Sequence, residues 1–290
     1  MSSPTSSPTP SSSLDLATIV TRLRAAGCVF AEDEARLLLS TARDPGELDA
    51  MVERRVAGLP LEHVLGWAEF HGLRIAVDTG VFVPRRRSEF LADQATALAR
   101  AALGARGAAG DGARSPVVLV DLCCGTGALA AVLAAAVGRC ELHAVDIDPA
   151  AVRCARRNLA AAGGHVHEGD LYEPLPDALR GRVDVLIASP PYVPTEAIGL
   201  LPPEAREHEP LVALDGGADG LDVVRRVVAQ APRWLAPGGH LLVETSERQA
   251  LPAAEAIARA GLTPRIATSR DLHATAVIGT APTPPEPSGD

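Results

Sequence analysis

The chain has 290 residues, 47% hydrophobic and 22% charged, which is a globular balance and excludes a chain that is disordered throughout. Its 27 basic and 36 acidic residues give a net charge of −9, the wrong sign for a protein that coats itself with nucleic-acid backbone. Aromatic residues make up only 3%, too few for single-strand stacking platforms, and no apolar run approaches the roughly 20 residues of a membrane span.

Both ends of the chain are rich in Ser, Thr and Pro. We therefore predict disordered tails at residues 1–13 and 280–290. The first of them lacks the basic and apolar regions of a secretory signal. The five cysteines are odd in number and show no metal-binding spacing, so we expect reduced thiols, no metal site and a cytoplasmic location.

Residues 14–57 carry apolar side chains at helical spacing. Gly27 and the pair Pro45-Gly46 interrupt this pattern, so we predict a small bundle of three helices. The apolar positions that define the period are Leu16, Ile19, Val20, Leu23, Ala35, Leu38, Leu39, Leu48, Met51 and Val52.

Residues 58–88 are predicted to form a β-hairpin. Ile75 and Val77 alternate on one side of the turn-forming segment 78–80, and Val81 and Val83 alternate on the other. A helix is expected from about residue 89 to residue 103, followed by a Gly/Ala-rich linker over residues 104–115.

From residue 117 onward, short β-branched runs alternate with helical segments. This alternation predicts right-handed crossovers and a parallel sheet that is covered by helices on both faces. Two final apolar segments, RIATS and ATAVIG, are expected to form a hairpin that adds an antiparallel edge strand. The predicted fold class is α/β.

A Gly-rich turn, DLCCGTG at residues 121–127, lies between the first of these strands and its helix. Asp146 ends the next strand, where an acid can hold both hydroxyls of a ribose. The turn begins with an acid and lacks the spacing of a dinucleotide turn, which docks a pyrophosphate. This favours the cationic S-adenosylmethionine over NAD, and Asp170 is then a candidate acceptor for the adenine amino group.

The tetrapeptide Ser189-Pro190-Pro191-Tyr192 follows the fourth strand, at the carboxyl edge of the sheet where open α/β folds bind ligands. Two prolines make this turn stiff and rich in carbonyl groups. The Pro190 carbonyl and the Ser189 hydroxyl can accept N–H bonds from an amide or an exocyclic amine. Holding these hydrogens aims the nitrogen lone pair at a methyl donor.

Several segments together resemble the bacterial protein-(glutamine-N5) methyltransferases. They are DLCCGTGALA, AVDIDPAAVRCARRN, the SPPY turn, EPLVALDGGADGLD, PGGHLLVE and the stretch GLPLEHVLGWAEFHGLRIAVDTGVFVPRRRSE. That family modifies the glutamine of the Gly-Gly-Gln tripeptide in peptide chain release factors, and a sister group modifies a ribosomal protein. The resemblance implies a Rossmann-like class I methyltransferase sheet over residues 89–279, a helical substrate-recognition domain over 14–57 and a hairpin connector over 58–88.

The resemblance also implies roles for individual residues. It assigns the cofactor, S-adenosyl-L-methionine, to Cys123, Cys124, Gly125, Thr126, Gly127, Asp146, Asp170, Leu171 and Ser189. It assigns the substrate glutamine to Ser189, Pro190, Pro191 and Tyr192, and of these the catalytic residues are Ser189, Pro190 and Tyr192. The implied partner is a release factor or another translation protein, and we expect a monomer that binds neither a membrane nor, stably, a nucleic acid.

The chain departs from this family at one central position, because Ser189 stands where the family has asparagine. Two other functions stay open on the sequence alone: methylation of an exocyclic amine in a nucleic acid, and binding of adenosylmethionine without catalysis. In the PRRRSE segment, we expect Arg85 to follow the family pattern, Arg86 and Arg87 to be solvated, and Glu89 to form a local cap or pair. Glu209 is expected to order its loop.

Overall fold

A computed structural model describes residues 14–108 and 116–283. The predicted tail at 1–13, most of the predicted linker and residues 284–290 lie outside the described residues. The chain divides into two compact units, with the boundary after Leu65. The predicted tail at 280–290 starts too early: Thr280 ends the last strand, and Ala281 is buried and donates its N–H to the Gly239 carbonyl at 2.9 Å.

The first unit is helical. It contains α1 (Leu16–Ala25), α2 (Ala31–Thr41), α3 (Pro45–Val56) and α4 (Leu61–Leu65). Asp15 and Asp44 cap α1 and α3, each accepting a backbone N–H three residues on, which satisfies a donor that the helix leaves unpaired. The three predicted helices are confirmed. The short α4 packs on α2 and α3, so the unit ends at Leu65 rather than at Ala57.

The predicted hairpin is placed wrongly. The two strands are β1 (Trp67–Phe70) and β2 (Leu73–Ala76), and the turn between them is His71-Gly72, not segment 78–80. Both turn residues have positive φ, 51° and 73°, the backbone that a two-residue hairpin loop needs to match the strand twist. The alternation at Val81 and Val83 reflects two side chains buried from a loop.

The second unit holds a seven-stranded sheet in the order β5-β4-β3-β6-β7-β9-β8. Its strands are β3 (Val117–Leu122), β4 (Cys140–Asp146), β5 (His165–Glu168), β6 (Val183–Ala188), β7 (Leu235–Thr245), β8 (Thr263–Ser269) and β9 (Ala274–Thr280). β3 to β7 are parallel, and β9 is antiparallel to both of its neighbours. The predicted parallel α/β sheet with a final hairpin is confirmed, but β9, which runs against the parallel strands, lies inside the sheet, and β8 forms the edge.

Six helices belong to the described part of this unit. They are α5 (Glu89–Ala108), α6 (Ala128–Val137), α7 (Pro149–Leu159), α8 (Pro203–His208), α9 (Asp222–Gln230) and α10 (Ala250–Arg259). α5 extends beyond the predicted end at Leu103 to Ala108, although the five added residues include two glycines.

Both faces of the sheet are buried. Val117 and Leu119 of β3 pack among the side chains of α5, α6 and α7, while Val118 and Val120 pack among those of α9 and α10. The chain leaves β3 toward β4 on one side and returns as β6 on the other side of β3. The strand order therefore reverses beside β3, and a crevice opens there at the carboxyl ends of the strands.

Candidate active site

A cavity of about 600 Å³ lies at the carboxyl ends of β3, β4 and β6. Most of the residues predicted for the site line it. They are Cys123, Gly125, Asp146, Asp170, Leu171, Ser189, Pro190, Pro191 and Tyr192. The other three predicted cofactor residues, Cys124, Thr126 and Gly127, are not among the lining residues.

The turn after β3 shows why these three lie elsewhere. Cys124 and Thr126 are buried under the turn. Gly127 begins α6 with φ 76°, and a Cβ atom there would lie 3.2 Å from the Cβ of Ala155 and 3.3 Å from the side chain of Leu159. Gly127 therefore allows α6 to pack closely against α7, which is a structural role.

Asp146 is held rigidly at the end of β4. Its Oδ2 accepts the N–H of Gly125 at 2.7 Å, and its Oδ1 accepts the N–H of Asp148 at 2.9 Å. Burial raises the pKa of this carboxyl group, and the two N–H donors act against that shift. A carboxylate can accept about four hydrogen bonds, so both oxygens keep capacity for the two hydroxyls of a ribose.

Asp121, the acid that leads the Gly-rich turn, does not line the cavity. Its Oδ2 accepts the N–H of Ala130 at 3.2 Å, and its Oδ1 has no partner among the described residues. Burial raises the pKa of Asp121 to about 8, so this side chain is neutral at pH 7. The carboxyl groups at this end of the cavity are those of Asp146 and Asp148.

Asp170 and Leu171 follow β5 on the far side of Asp146. The Oδ2 of Asp170 pairs with the guanidinium of Arg226, which also lines the cavity, and the pair raises the pKa of Arg226. Leu171 is buried with φ 51° and contributes an apolar wall. The Oδ1 atom of Asp170, which Arg226 does not engage, and the side chain of Leu171 are the groups that these two residues can offer to an adenine.

The SPPY turn is fixed from behind by a glycine-containing loop. The N–H of Val193 donates to the Leu214 carbonyl at 3.0 Å, and the N–H of Gly216 donates to the Val193 carbonyl at 2.8 Å. A Cβ atom on Gly216 would lie 2.7 Å from the Pro191 carbonyl oxygen, and one on Gly220 would overlap the Tyr192 carbonyl. The loop sequence LDGGADG therefore permits a close backbone approach that immobilises the turn.

The sequence analysis assigned no role to three polar residues that lie behind the turn, Gln249, Glu244 and Ser88. Gln249 donates from Nε2 to the Tyr192 carbonyl at 2.8 Å and to the Asp219 carbonyl at 3.0 Å. Glu244, at the end of β7, accepts the Ser189 hydroxyl at 3.1 Å and the Ser88 hydroxyl at 2.7 Å. These links join residues far apart in the chain, and no local spacing in the sequence signals them.

The PRRRSE segment is only partly as expected. Arg85 pairs with both carboxylate oxygens of the buried Glu209, at 2.6 and 2.5 Å, so Glu209 orders its loop as predicted. Glu89 accepts the His71 N–H at 2.9 Å, a contact with a residue 18 positions away rather than the expected local cap or pair. Arg87 is exposed as expected, with 44% of its side chain accessible, but it also lines the cavity, lies 3.3 Å from Glu244 and stacks over the Tyr192 ring.

No helix among residues 14–108 and 116–283 is long and apolar enough to span a membrane. Within the same ranges, no group of His, Cys, Asp or Glu side chains is arranged to hold a metal ion.

A sheet of this order, with a Gly-containing turn after its central strand and an acid closing the next, defines a class I S-adenosylmethionine-dependent methyltransferase. The family model "Methyltransferase small domain" matches residues 74–200. Over 212 residues the chain is 39% identical to the release factor glutamine methyltransferase of Geobacter sulfurreducens, covering 71% of this chain and 69% of that protein. The chain belongs to the release factor glutamine methyltransferase family, and its methyl donor is S-adenosylmethionine.

Two further similarities bear on fold and substrate. Over 235 residues the chain is 36% identical to the 4-amino-L-phenylalanine/4-methylamino-L-phenylalanine methyltransferase of Streptomyces pristinaespiralis, covering 76% of this chain and 77% of that protein. The crystal structure of a methyltransferase from Pyrococcus furiosus superposes with a TM-score of 0.51 at 17% identity, covering 81% of this chain and 98% of that one. The second similarity is one of fold alone.

Proposed function

We propose that this enzyme methylates the side-chain amide nitrogen of the glutamine in the Gly-Gly-Gln tripeptide of a peptide chain release factor. One observation carries the proposal: the SPPY turn lines the same cavity as Gly125 and Asp146. Fixed acceptors for an amide and the anchor for a nucleoside thus share one enclosed space. The 39% identity to a release factor glutamine methyltransferase supports the choice of substrate.

The cofactor residues divide by position. Asp146 is proposed to hold the ribose, because its carboxylate is already oriented by two backbone donors. Cys123 and Gly125 are proposed to border the methionine part, and Asp170 with Leu171 the adenine. Bound there, S-adenosylmethionine supplies a methyl group that its sulfonium charge makes electrophilic.

The SPPY turn is proposed to orient the amide. An amide nitrogen is a weak nucleophile because its lone pair is delocalised into the carbonyl group. The Ser189 hydroxyl and the Pro190 carbonyl would accept hydrogen bonds from its two N–H groups. These bonds would aim the lone pair and stabilise the positive charge that develops. The ring of Tyr192, held by Arg87 on its face, forms a wall for the planar group and excludes water.

The helical unit ending at Leu65 is proposed to select the partner protein. Val29 and Phe30 are 84% and 68% exposed there, which leaves apolar surface that a protein partner can cover. We further propose that the enzyme is a monomer and that it works in the cytoplasm, where release factors act. None of the five cysteines, all of which lie in the described residues, forms a disulfide, which fits a reducing compartment.

The test is transfer of labelled methyl to a purified release factor, with cofactor saturating. The wild-type enzyme should label the factor, and a factor with alanine in place of the tripeptide glutamine should stay unlabelled. Ser189→Ala should slow single-turnover transfer roughly ten- to a hundredfold while changing cofactor affinity little, because one amide N–H loses its acceptor. Equal labelling of both factors would refute the proposed target.

A second candidate function is methylation of an aromatic amine. The relative from Streptomyces pristinaespiralis is named for such a substrate, and Ser189 is smaller than the asparagine typical of the family. A smaller side chain leaves room for a ring attached to the nitrogen. Free 4-amino-L-phenylalanine offered in place of the release factor tests this candidate, and faster transfer to it than to the factor would favour it.

A further inference from the structure

Glu244 lies directly behind Ser189. It is the last residue but one of β7, and its side chain is 5% exposed. A single oxygen, Oε2, accepts the hydroxyl of Ser189 at 3.1 Å and the hydroxyl of Ser88 at 2.7 Å. A carboxylate can only accept, so both serines donate to it.

This arrangement decides what Ser189 can offer to the cavity. A hydroxyl has one hydrogen and two lone pairs, and the hydrogen of Ser189 is engaged with Glu244. Only its lone pairs remain for a ligand. We propose that Glu244 is a positioning residue that fixes Ser189 as an acceptor for an N–H of the methyl-accepting nitrogen. This inference rests on one part of the proposed function, namely that Ser189 contacts the nitrogen that accepts the methyl group.

Arg87 completes the arrangement. Its Nε lies 3.3 Å from Oε1, the other oxygen of Glu244, and its guanidinium stacks over the ring of Tyr192. The cation keeps Oε1 occupied, so the two serines are left to share Oε2. One carboxylate thereby links the acceptor at Ser189 to the aromatic wall at Tyr192.

The substitution Glu244→Gln separates this role from a purely structural one. Glutamine has the same shape but one acceptor atom and one donor group. The guanidinium of Arg87 repels an NH₂ group and attracts the amide oxygen, so the NH₂ would point toward Ser88 and Ser189. Ser189 would then accept a hydrogen bond from the glutamine NH₂ group, and its own hydroxyl hydrogen would point into the cavity. There it would face the N–H of the substrate, so that two donors would oppose each other.

The experiment is a double-mutant cycle with Glu244→Gln, Ser189→Ala and the double variant. Single-turnover methyl transfer, KM for the acceptor and calorimetric affinity for S-adenosylmethionine are measured for each. Glu89→Gln is the matched control, because Glu89 accepts a backbone N–H from His71 and is not among the cavity-lining residues. The release factor is the first acceptor, and 4-amino-L-phenylalanine is the second.

We expect Glu244→Gln to lower the transfer rate roughly ten- to a hundredfold, with cofactor affinity and melting temperature close to wild type. The double variant should be no slower than the slower single variant, since both changes act on one hydrogen bond. Glu89→Gln should transfer at the wild-type rate.

Two results would overturn the inference: a wild-type rate in Glu244→Gln, or losses from the two substitutions that multiply in the double variant. Failure of the proposed function looks different. In that case the wild-type enzyme leaves the release factor unmethylated, and the cycle is measured on 4-amino-L-phenylalanine, where the same coupling is expected.

Discussion

Replacing Asp146 with alanine should weaken S-adenosylmethionine binding by about 2–4 kcal/mol. Hydrogen bonds to a charged acceptor contribute about 1.5–3 kcal/mol each, and two ribose hydroxyls are available. The full loss of both hydrogen bonds is not expected to appear in the binding free energy. In the variant, the N–H groups of Gly125 and Asp148, which now donate to Asp146, could donate to water or to the ligand instead. At about 1.4 kcal/mol per tenfold change, the dissociation constant should rise roughly 30- to 1000-fold.

Isothermal titration of wild-type protein and Asp146→Ala measures this change directly. A 2′-deoxyribose analogue of the cofactor separates ribose contact from turn geometry. The wild-type protein should bind the analogue more weakly than the parent, while Asp146→Ala should bind both about equally. An unchanged dissociation constant in a folded variant, or an equal loss for the analogue in both proteins, would remove Asp146 from the ribose site.

Three other predictions concern different parts of the molecule. Asp121→Asn mimics the neutral acid. Because the pKa of Asp121 is about 8 in the folded protein, above that of the unfolded chain, the free energy of unfolding of the wild type falls as pH rises between the two values. Denaturant melts from about pH 5 to about pH 7 should therefore show the variant gaining at most about 1.4 kcal/mol per pH unit relative to wild type. Gly220→Ala should destabilise by about 1–3 kcal/mol in denaturant melts, since its Cβ overlaps the Tyr192 carbonyl at a φ of 76°, and an unchanged midpoint would contradict the close packing of that loop. Phe30→Asp should raise KM for the release factor several-fold with cofactor affinity unchanged, whereas an unaltered KM would exclude Phe30 from partner selection.

The sequence was sufficient for features that short-range patterns encode. The alternation of β-branched and helical segments identified the parallel sheet, and the spacing from the Gly-rich turn to Asp146 placed both at one cavity. The helical period over residues 14–57 identified α1 to α3, each of which is amphipathic with an apolar core face.

Other features depend on contacts between distant residues. The hairpin was misplaced because the turn His71-Gly72 is set by backbone conformation, while burial of Val81 and Val83 imitated strand alternation. Arg87 was expected in solvent and is indeed 44% exposed, but its contacts with Glu244 and with the cavity could not be predicted, because no nearby residue signals Glu244. The packing of α6 on α7 at Gly127, which leaves no room for a side chain, could not be predicted from the sequence either.

The most direct test of the central claim is to locate the transferred methyl group. Release factor treated with the enzyme and S-adenosylmethionine is digested, and the labelled peptide is sequenced by fragmentation mass spectrometry. The account predicts one added methyl group on the side-chain nitrogen of the glutamine in Gly-Gly-Gln. A methyl group on any other residue, or an unmodified factor alongside a methylated aromatic amine, would contradict it.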